Sequence, residues 1–114
     1  MGARVVFNIK QNEESYLCLY SHWGEHTALE DTARALDKAR PRWDDETYCA
    51  RIIVSQIIGD EWDSELNFGL WSQNEPFTDE AWVLIDLKEN KVTALDGTHS
   101  FEEFVKYHSN LVKN

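Results

Sequence analysis

Two segments near the start of the chain alternate between apolar and polar positions with the period of a strand. Residues 4–9 are rich in β-branched side chains, and residues 16–20 follow a polar stretch from Lys10 to Ser15. Alternation of this kind is typical of half-buried strands, and a short polar connection favours antiparallel pairing. The pattern therefore predicts an N-terminal β-hairpin.

The period changes to that of a helix after Gly24. Thr27 and Glu30 have the spacing of a capping box, in which each side chain binds a free amide of the first turn. Pro41 disfavours helical geometry at Arg40 and ends the segment. The apolar residues of this predicted helix fall on one face: Leu29, Ala33, Leu36 and Ala39.

A second helix is predicted over residues 46–58, which are apolar almost all round. Asp44 or Asp45 would cap its start, and Gly59 would end it. Residues 51–54 taken alone also fit a strand.

Three more strands are predicted over residues 66–71, 81–87 and 92–95, and Asp96-Gly97 closes the last of them. Gly69 marks a bulge or a close approach of the backbone.

A second capping-box pattern, Ser100 with Glu103, opens a final helix. Its apolar residues are Phe101, Phe104, Val105 and Tyr107. The element order is ββ-αα-βββ-α, and short connections favour antiparallel neighbours. We predict a single α+β domain over residues 1–114, with an antiparallel sheet of about five strands and about two to three helices packed on one face.

Charge argues against one class of partner. The 114 residues contain 21 acidic and 11 basic side chains, and the formal net charge is −10. Binding to phosphate backbones depends on Lys and Arg that displace counterions, so nucleic acid is not expected as a partner. No apolar run is long enough for a membrane span, and no signal-peptide pattern opens the chain. We expect a cytoplasmic protein, in the host cell cytoplasm if phage-encoded.

The two cysteines, Cys18 and Cys49, each lie in an apolar stretch. Buried free thiols are expected in a reducing compartment. A disulfide between them stays open, because sequence does not give the distance between their backbones.

A first candidate site combines basic and aromatic side chains around Pro41. Guanidinium groups bind phosphate bidentately, indole faces stack on bases, and a helix N-terminus favours an anion. The candidate ligand-binding residues are His22, Trp23, Arg40, Arg42, Trp43 and Tyr48. A helix hairpin places the first two at the far end from Arg42, so only a dimer or a kinked packing would join the halves. The alternative is that both arginines pair with Asp44, Asp45 or Glu46 at the surface.

A second candidate site lies in residues 60–87, which contain eight acidic side chains and no basic one. Carboxylates interleaved with aromatic rings imitate a phosphate backbone or dock on a basic partner. The candidate partner-binding residues are Glu61, Trp62, Asp63 and Glu65, with Trp71, Phe77 and Trp82 as neighbouring rings. The alternative is a set of solvated acidic loops.

Patterns for catalysis and metal binding are weak. His22 and His26 precede a helix, so their rings need not share a face. GxSxG, a Gly-rich phosphate loop, HExxH and the zinc deaminase pattern are missing from the sequence. We expect no metal, no cofactor and no catalysis, and keep a small enzyme acting on a nucleotide as a third hypothesis.

The segments Tyr20-Ser-His-Trp-Gly24 and Ala39-Arg-Pro-Arg-Trp-Asp-Asp45, with Tyr48 and Arg51-Ile, resemble a set of small uncharacterised phage and mobile-element proteins. Those proteins share a YSHWG…ARPRWDD..Y..RI pattern, and the resemblance is densest over residues 16–58. It implies a phage-type accessory protein with an anti-defence role.

Two functional hypotheses follow. In the leading one, a non-catalytic protein binds a host defence component or sequesters a nucleotide-derived signal. The alternative is an acidic protein inhibitor that docks on a basic host protein, in the manner of a nucleic-acid mimic.

Overall fold

The computed structural model describes the backbone of residues 3–112 and the side chains of residues 3–108. The expectation about a signal peptide rests partly on Met1 and Gly2, which lie outside the described residues. The predicted hairpin is confirmed: β1 (Val5–Asn12) pairs antiparallel with β2 (Ser15–Ser21).

Two helices follow the hairpin, α1 (Ala28–Lys38) and α2 (Glu46–Ile58), joined through a 3-10 turn at Arg40–Arg42. Asp45 caps α2 by accepting a hydrogen bond from the Tyr48 amide at 3.3 Å, and Gly59 ends it with a φ of +62°. This position favours glycine because a Cβ strains the left-handed region.

The capping box predicted at Thr27 is wrong. Thr27 is the N-cap residue of α1, but its side chain caps no amide. Its hydroxyl donates instead to the Asp31 carboxylate at 2.9 Å. A carboxylate one turn along the helix is the stronger acceptor and competes for the hydroxyl.

Four strands and a helix complete the chain: β3 (Phe68–Gln73), β4 (Ala81–Asp86), β5 (Lys91–Ala94), β6 (Gly97–Ser100) and α3 (Phe101–Val112). The prediction missed β6, because Leu95-Asp96 forms a hairpin turn and Gly97 begins a further strand instead of ending the sheet. The capping box at the start of α3 is confirmed: Ser100 and Glu103 exchange hydrogen bonds of 3.3 and 3.1 Å.

The sheet has six strands in the order β3-β2-β1-β4-β5-β6. All neighbours are antiparallel except β1 and β4, which are parallel. The prediction of about five antiparallel strands is therefore corrected to a mixed sheet of six. The reason lies in the segment of residues 74–80, which leaves β3 at one end of the sheet and enters β4 at the other.

All three helices pack on one face of the sheet, as predicted. Alternate β1 residues Val5, Phe7 and Ile9 point to that face and join a core that includes residues of α1, α2 and α3. The other face carries a smaller buried cluster of Val6, Tyr16 and Cys18. The segment of residues 74–80, called the strap below, crosses this second face because the Asn8 side chain binds the Phe77 backbone.

Three details of side-chain placement differ from expectation. Tyr48 is exposed, so α2 is buried on one side only. Tyr107 is exposed, and His108 takes the buried position of α3 in its place. Gly69 lies in regular register opposite Tyr20, so no bulge forms there.

Among the described residues, no helix is both long enough and apolar enough to cross a bilayer.

Candidate protein-binding surface

Arg40 is held by acidic side chains and by an aromatic ring. Its guanidinium group donates to Glu102 of α3 at 2.6 Å and to Asp37 at 3.2 Å. It also lies 4.6 Å from the centre of the Trp43 ring, and the Trp43 indole donates to the Leu36 carbonyl at 2.9 Å. All three guanidinium nitrogens of Arg40 are therefore engaged by carboxylates of the protein itself.

Arg42 follows the same pattern on the other side of Pro41. Its guanidinium group lies 3.6 Å from the Asp45 carboxylate and 4.2 Å from the centre of the Tyr48 ring. Asp45 was one of the surface acids named in the alternative interpretation of this turn. The ion pair neutralises the cation that would bind a phosphate, and the ring covers one side of that cation.

The structure brings together only part of the predicted ligand site. Arg40 with Trp43 and Arg42 with Tyr48 form two neighbouring pairs. His22 and Trp23 precede α1, whose 11 residues span about 16 Å at about 1.5 Å per residue. The helix thus separates the two halves of the set.

His22 and Trp23 lie instead beside the second candidate site. The His22 amide donates to the Asn67 carbonyl at 2.8 Å. Tyr20 and His22 share a hydrogen bond of 2.7 Å, and the His22 and Trp23 rings meet edge to face at 4.5 Å. This places an exposed indole at the same end of the sheet as the acidic segment.

The acidic segment, residues 60–87, begins with an exposed surface next to edge strand β3. A 3-10 turn at Gly59–Asp63 carries the first acids away from the end of α2. Three apolar side chains of this segment are open to solvent: Trp62 is 52% exposed, Leu66 61% and Leu70 49%. We define the acidic edge surface as Asp60, Glu61, Trp62, Asp63, Glu65, Leu66 and Leu70, all of which are exposed.

A shallow groove opens in this surface. It has a volume of about 140 Å³ and lies between the 3-10 turn and the edge of the sheet. Its apolar lining is Leu19, Ile58, Trp62, Phe68 and Leu70, and Glu61 stands beside them. Ligand pockets are usually about 300–1,000 Å³, so the groove suits one side chain of a partner more than a whole small molecule.

The other rings of the acidic segment serve the second face of the sheet. Trp71 of β3 and Phe77 of the strap meet edge to face, with ring centres 5.5 Å apart. Trp82 lies on the same face by register, opposite Val6. These rings are half-buried, so they are less open to a partner than Trp62.

A larger cavity of about 520 Å³ lies where α1 begins, and none of the ten candidate residues lines it. Its walls are mainly apolar, from Val5, Leu29 and Val83, and its charged residues are Glu25 and Glu80. The lining also includes His26, and the two carboxylates oppose a phosphate.

The described residues offer little for catalysis. Cys18 and Cys49 are both free thiols and both buried, so the disulfide alternative is not realised. Burial raises the pKa of both thiols, that of Cys49 to about 11, which disfavours the nucleophilic thiolate. Within residues 3–112, no three His, Cys, Asp or Glu side chains converge as a metal site.

Sequence reasoning missed several polar contacts and two apolar members of the surface. The missed pair His108 and Asp96 shares a hydrogen bond of 3.0 Å, with the His108 ring buried. Leu66 and Leu70 were assigned only to a strand. Leu70 is exposed because β3 is an edge strand, a position that depends on long-range pairing, whereas Leu66 lies in the bend before β3, which begins at Phe68.

Comparison of the chain with protein-family models, with curated proteins and with solved structures finds no match. The resemblance to phage and mobile-element proteins therefore stays a prediction.

Proposed function

We propose that this chain is a non-catalytic binding protein that docks on a basic protein surface through the acidic edge surface. One observation carries the proposal: Trp62, Leu66 and Leu70 are open to solvent in a segment whose charged side chains are all acidic.

An apolar centre with a charged rim has the anatomy of a protein interface. A large ring at the centre contributes affinity once water is excluded, whereas rim charges speed encounter and select the partner by sign. The net charge of −10 adds a long-range attraction toward basic surfaces. An accessory role against a host defence component is a setting that fits such docking, and it rests on the sequence resemblance alone.

The geometry favours this hypothesis over a nucleotide ligand. Arg40 and Arg42 are paired with carboxylates, and neither lines the cavities of about 140 and 520 Å³. A nucleotide at that turn would first have to displace Asp45 or Glu102.

The test compares two matched charge reversals. Asp63→Lys/Glu65→Lys changes the acidic edge surface, and Glu14→Lys/Glu89→Lys changes the net charge equally in turns at the opposite end of the sheet. Immobilised proteins are presented with the soluble proteins of the natural host, and captured proteins are quantified at ~50 mM and ~500 mM salt.

We expect the native chain and the Glu14/Glu89 variant to capture the same basic proteins in equal amounts. The Asp63/Glu65 variant and Trp62→Ala should retain them at least about tenfold less, since ~1.4 kcal/mol of lost binding is tenfold. Capture should also weaken at high salt. Equal capture by both charge variants, or a captured set that is indifferent to salt, would overturn the proposal.

A further inference from the structure

We infer that the partner contributes an extended, arginine- or lysine-bearing segment that adds a strand to the free edge of β3. This inference rests on the proposed function and specifies the form of the partner at the same surface.

The backbone of β3 supplies the template. This strand is outermost in the sheet and pairs with β2 in six consecutive residue pairs without a bulge. Within residues 3–112, no backbone hydrogen bond from outside the sheet covers Phe68–Gln73. Six residues of strand extend about 20 Å, which is enough to hold a strand of similar length by main-chain hydrogen bonds.

The opposite edge of the sheet lacks these properties. β6 has four residues, and its last residue, Ser100, leads directly into α3. Short edge strands are one way in which proteins limit further pairing. The longer β3 is the edge that remains open.

The side chains beside β3 fit an added strand that carries an apolar residue and basic residues on its helix-bearing side. Leu70 projects to the helix-bearing face, because its partner Leu19 belongs to the core on that face. The groove of about 140 Å³ lies on this side and would take one apolar side chain of the added strand. The carboxylates of Glu61, Asp63 and Glu65 stand in the same segment and would pair with its basic side chains.

Charge decides between such a segment and a second copy of this chain. Two copies of this chain each carry a net charge of −10, so pairing two β3 edges is opposed by repulsion between like-charged molecules. Charged residues near an open edge are a common protection against self-association. The same charges attract a basic strand.

The experiment uses the full chain and a defined probe, an acetylated and amidated heptapeptide with arginine at positions 1, 5 and 7, valine at position 3 and threonine at positions 2, 4 and 6, so that one face of the strand carries both the valine and the arginines. A second heptapeptide carries glutamate in place of arginine. Amide hydrogen exchange is followed residue by residue with each peptide, and native mass spectrometry reports the stoichiometry.

With the arginine peptide, we expect alternate amides of Phe68–Gln73 to exchange at least about tenfold more slowly, because only every second amide of an edge strand points outward. The glutamate peptide should leave exchange unchanged. Leu70→Glu should abolish the protection, and Leu95→Glu, at an exposed leucine near the other edge, should retain it.

Three results would overturn strand addition. In the first, the arginine peptide binds in a salt-dependent way but the amides of β3 exchange no more slowly. This result contradicts strand addition and is still consistent with the proposed function. Lack of binding at millimolar peptide also contradicts strand addition, and the charge-reversal experiment then decides the proposed function separately. Concentration-dependent protection of β3 in the free protein, with a dimer mass, would assign the edge to a second copy.

Discussion

The side chain of Asn8 binds both backbone polar groups of Phe77. Its Nδ2 donates to the Phe77 carbonyl at 2.9 Å, and its Oδ1 accepts from the Phe77 amide at 2.7 Å. Asn8 is completely buried in the central strand. One side chain thus fixes the middle of the strap, and with it the crossing that makes β4 parallel to β1.

Replacing Asn8 tests this role of the strap. Asn8→Ala removes the two hydrogen bonds to Phe77 and two longer ones, to the Val83 carbonyl and from the Cys18 thiol, so we expect a loss of at least about 2–3 kcal/mol in the free energy of unfolding by urea. Asn12→Ala is the control, because Asn12 makes an exposed turn contact with the Glu14 amide. It should lose less than about 1 kcal/mol. Equal losses would show that the Asn8 contacts do not secure the strap.

The ion pair between Arg40 and Glu102 joins the α1–α2 connection to α3. Both side chains are largely open to water, so a double-mutant cycle with Arg40→Ala and Glu102→Ala should give a coupling of about 0.2–1 kcal/mol. Arg40→Ala should cost more than Glu102→Ala, because Arg40 also contacts Asp37 and the Trp43 ring. Thermal unfolding measures both effects, and a larger loss for Glu102→Ala would contradict this assignment.

Nucleotides should not stabilise the native chain. A ligand at a hundred times its Kd adds about 2.7 kcal/mol, which raises the Tm of a domain of this size by about 10 °C. Because Arg42 is engaged with Asp45 and Tyr48, we expect no Tm shift with cyclic nucleotides or ADP-ribose. Arg42→Ala should remain folded. A shift in the native chain that Arg42→Ala loses would restore the nucleotide hypothesis.

The Cys49 thiol should make stability depend on alkaline pH. Burial, with a smaller contribution from Asp45, raises its pKa from 9.0 to about 11. The folded state therefore favours the neutral thiol, and this contribution is complete below pH 9 and is lost as pH rises through 11.

We expect Cys49→Ala to be less stable than the native chain at pH 8, with the difference in unfolding free energy narrowing toward pH 11. Urea titrations at several pH values measure it. A difference that is constant or widens with pH would contradict the prediction.

Local patterns predicted the elements whose causes are local. Alternation was sufficient for β1 and β2, and helical period with Asp45 and Gly59 was sufficient for α2. The Ser100–Glu103 capping box also depends only on neighbours in sequence.

The elements that failed depend on distant partners. The parallel pairing of β1 with β4 joins residues about 75 positions apart, such as Val5 and Ala81, and no local pattern encodes it. β6 is short and polar, and it exists because β5 offers an edge. At Thr27, two local rules competed, and the Asp31 carboxylate accepted the hydroxyl that a cap would have used.

The contacts in the candidate sites also fall into two groups, those made by residues near in sequence and those that need distant elements. The pairing of Arg42 with Asp45 was among the alternatives predicted from the sequence, whereas Arg40 pairs with Asp37, which has the same spacing of three residues but was not predicted. Glu102 could not be foreseen, because α3 reaches Arg40 only in the folded chain. The acidic composition of residues 60–65 was visible in the sequence, whereas their position beside an open strand edge was not.

The central place of β1 has a consequence for synthesis on the ribosome. This strand emerges first, yet one of its two neighbours in the sheet, β4, ends only at Asp86. Until β4 has left the ribosome, the nascent protein holds an unpaired apolar strand edge along Val5–Lys10. Chaperone contact with the nascent chain is therefore expected to end when β4 emerges.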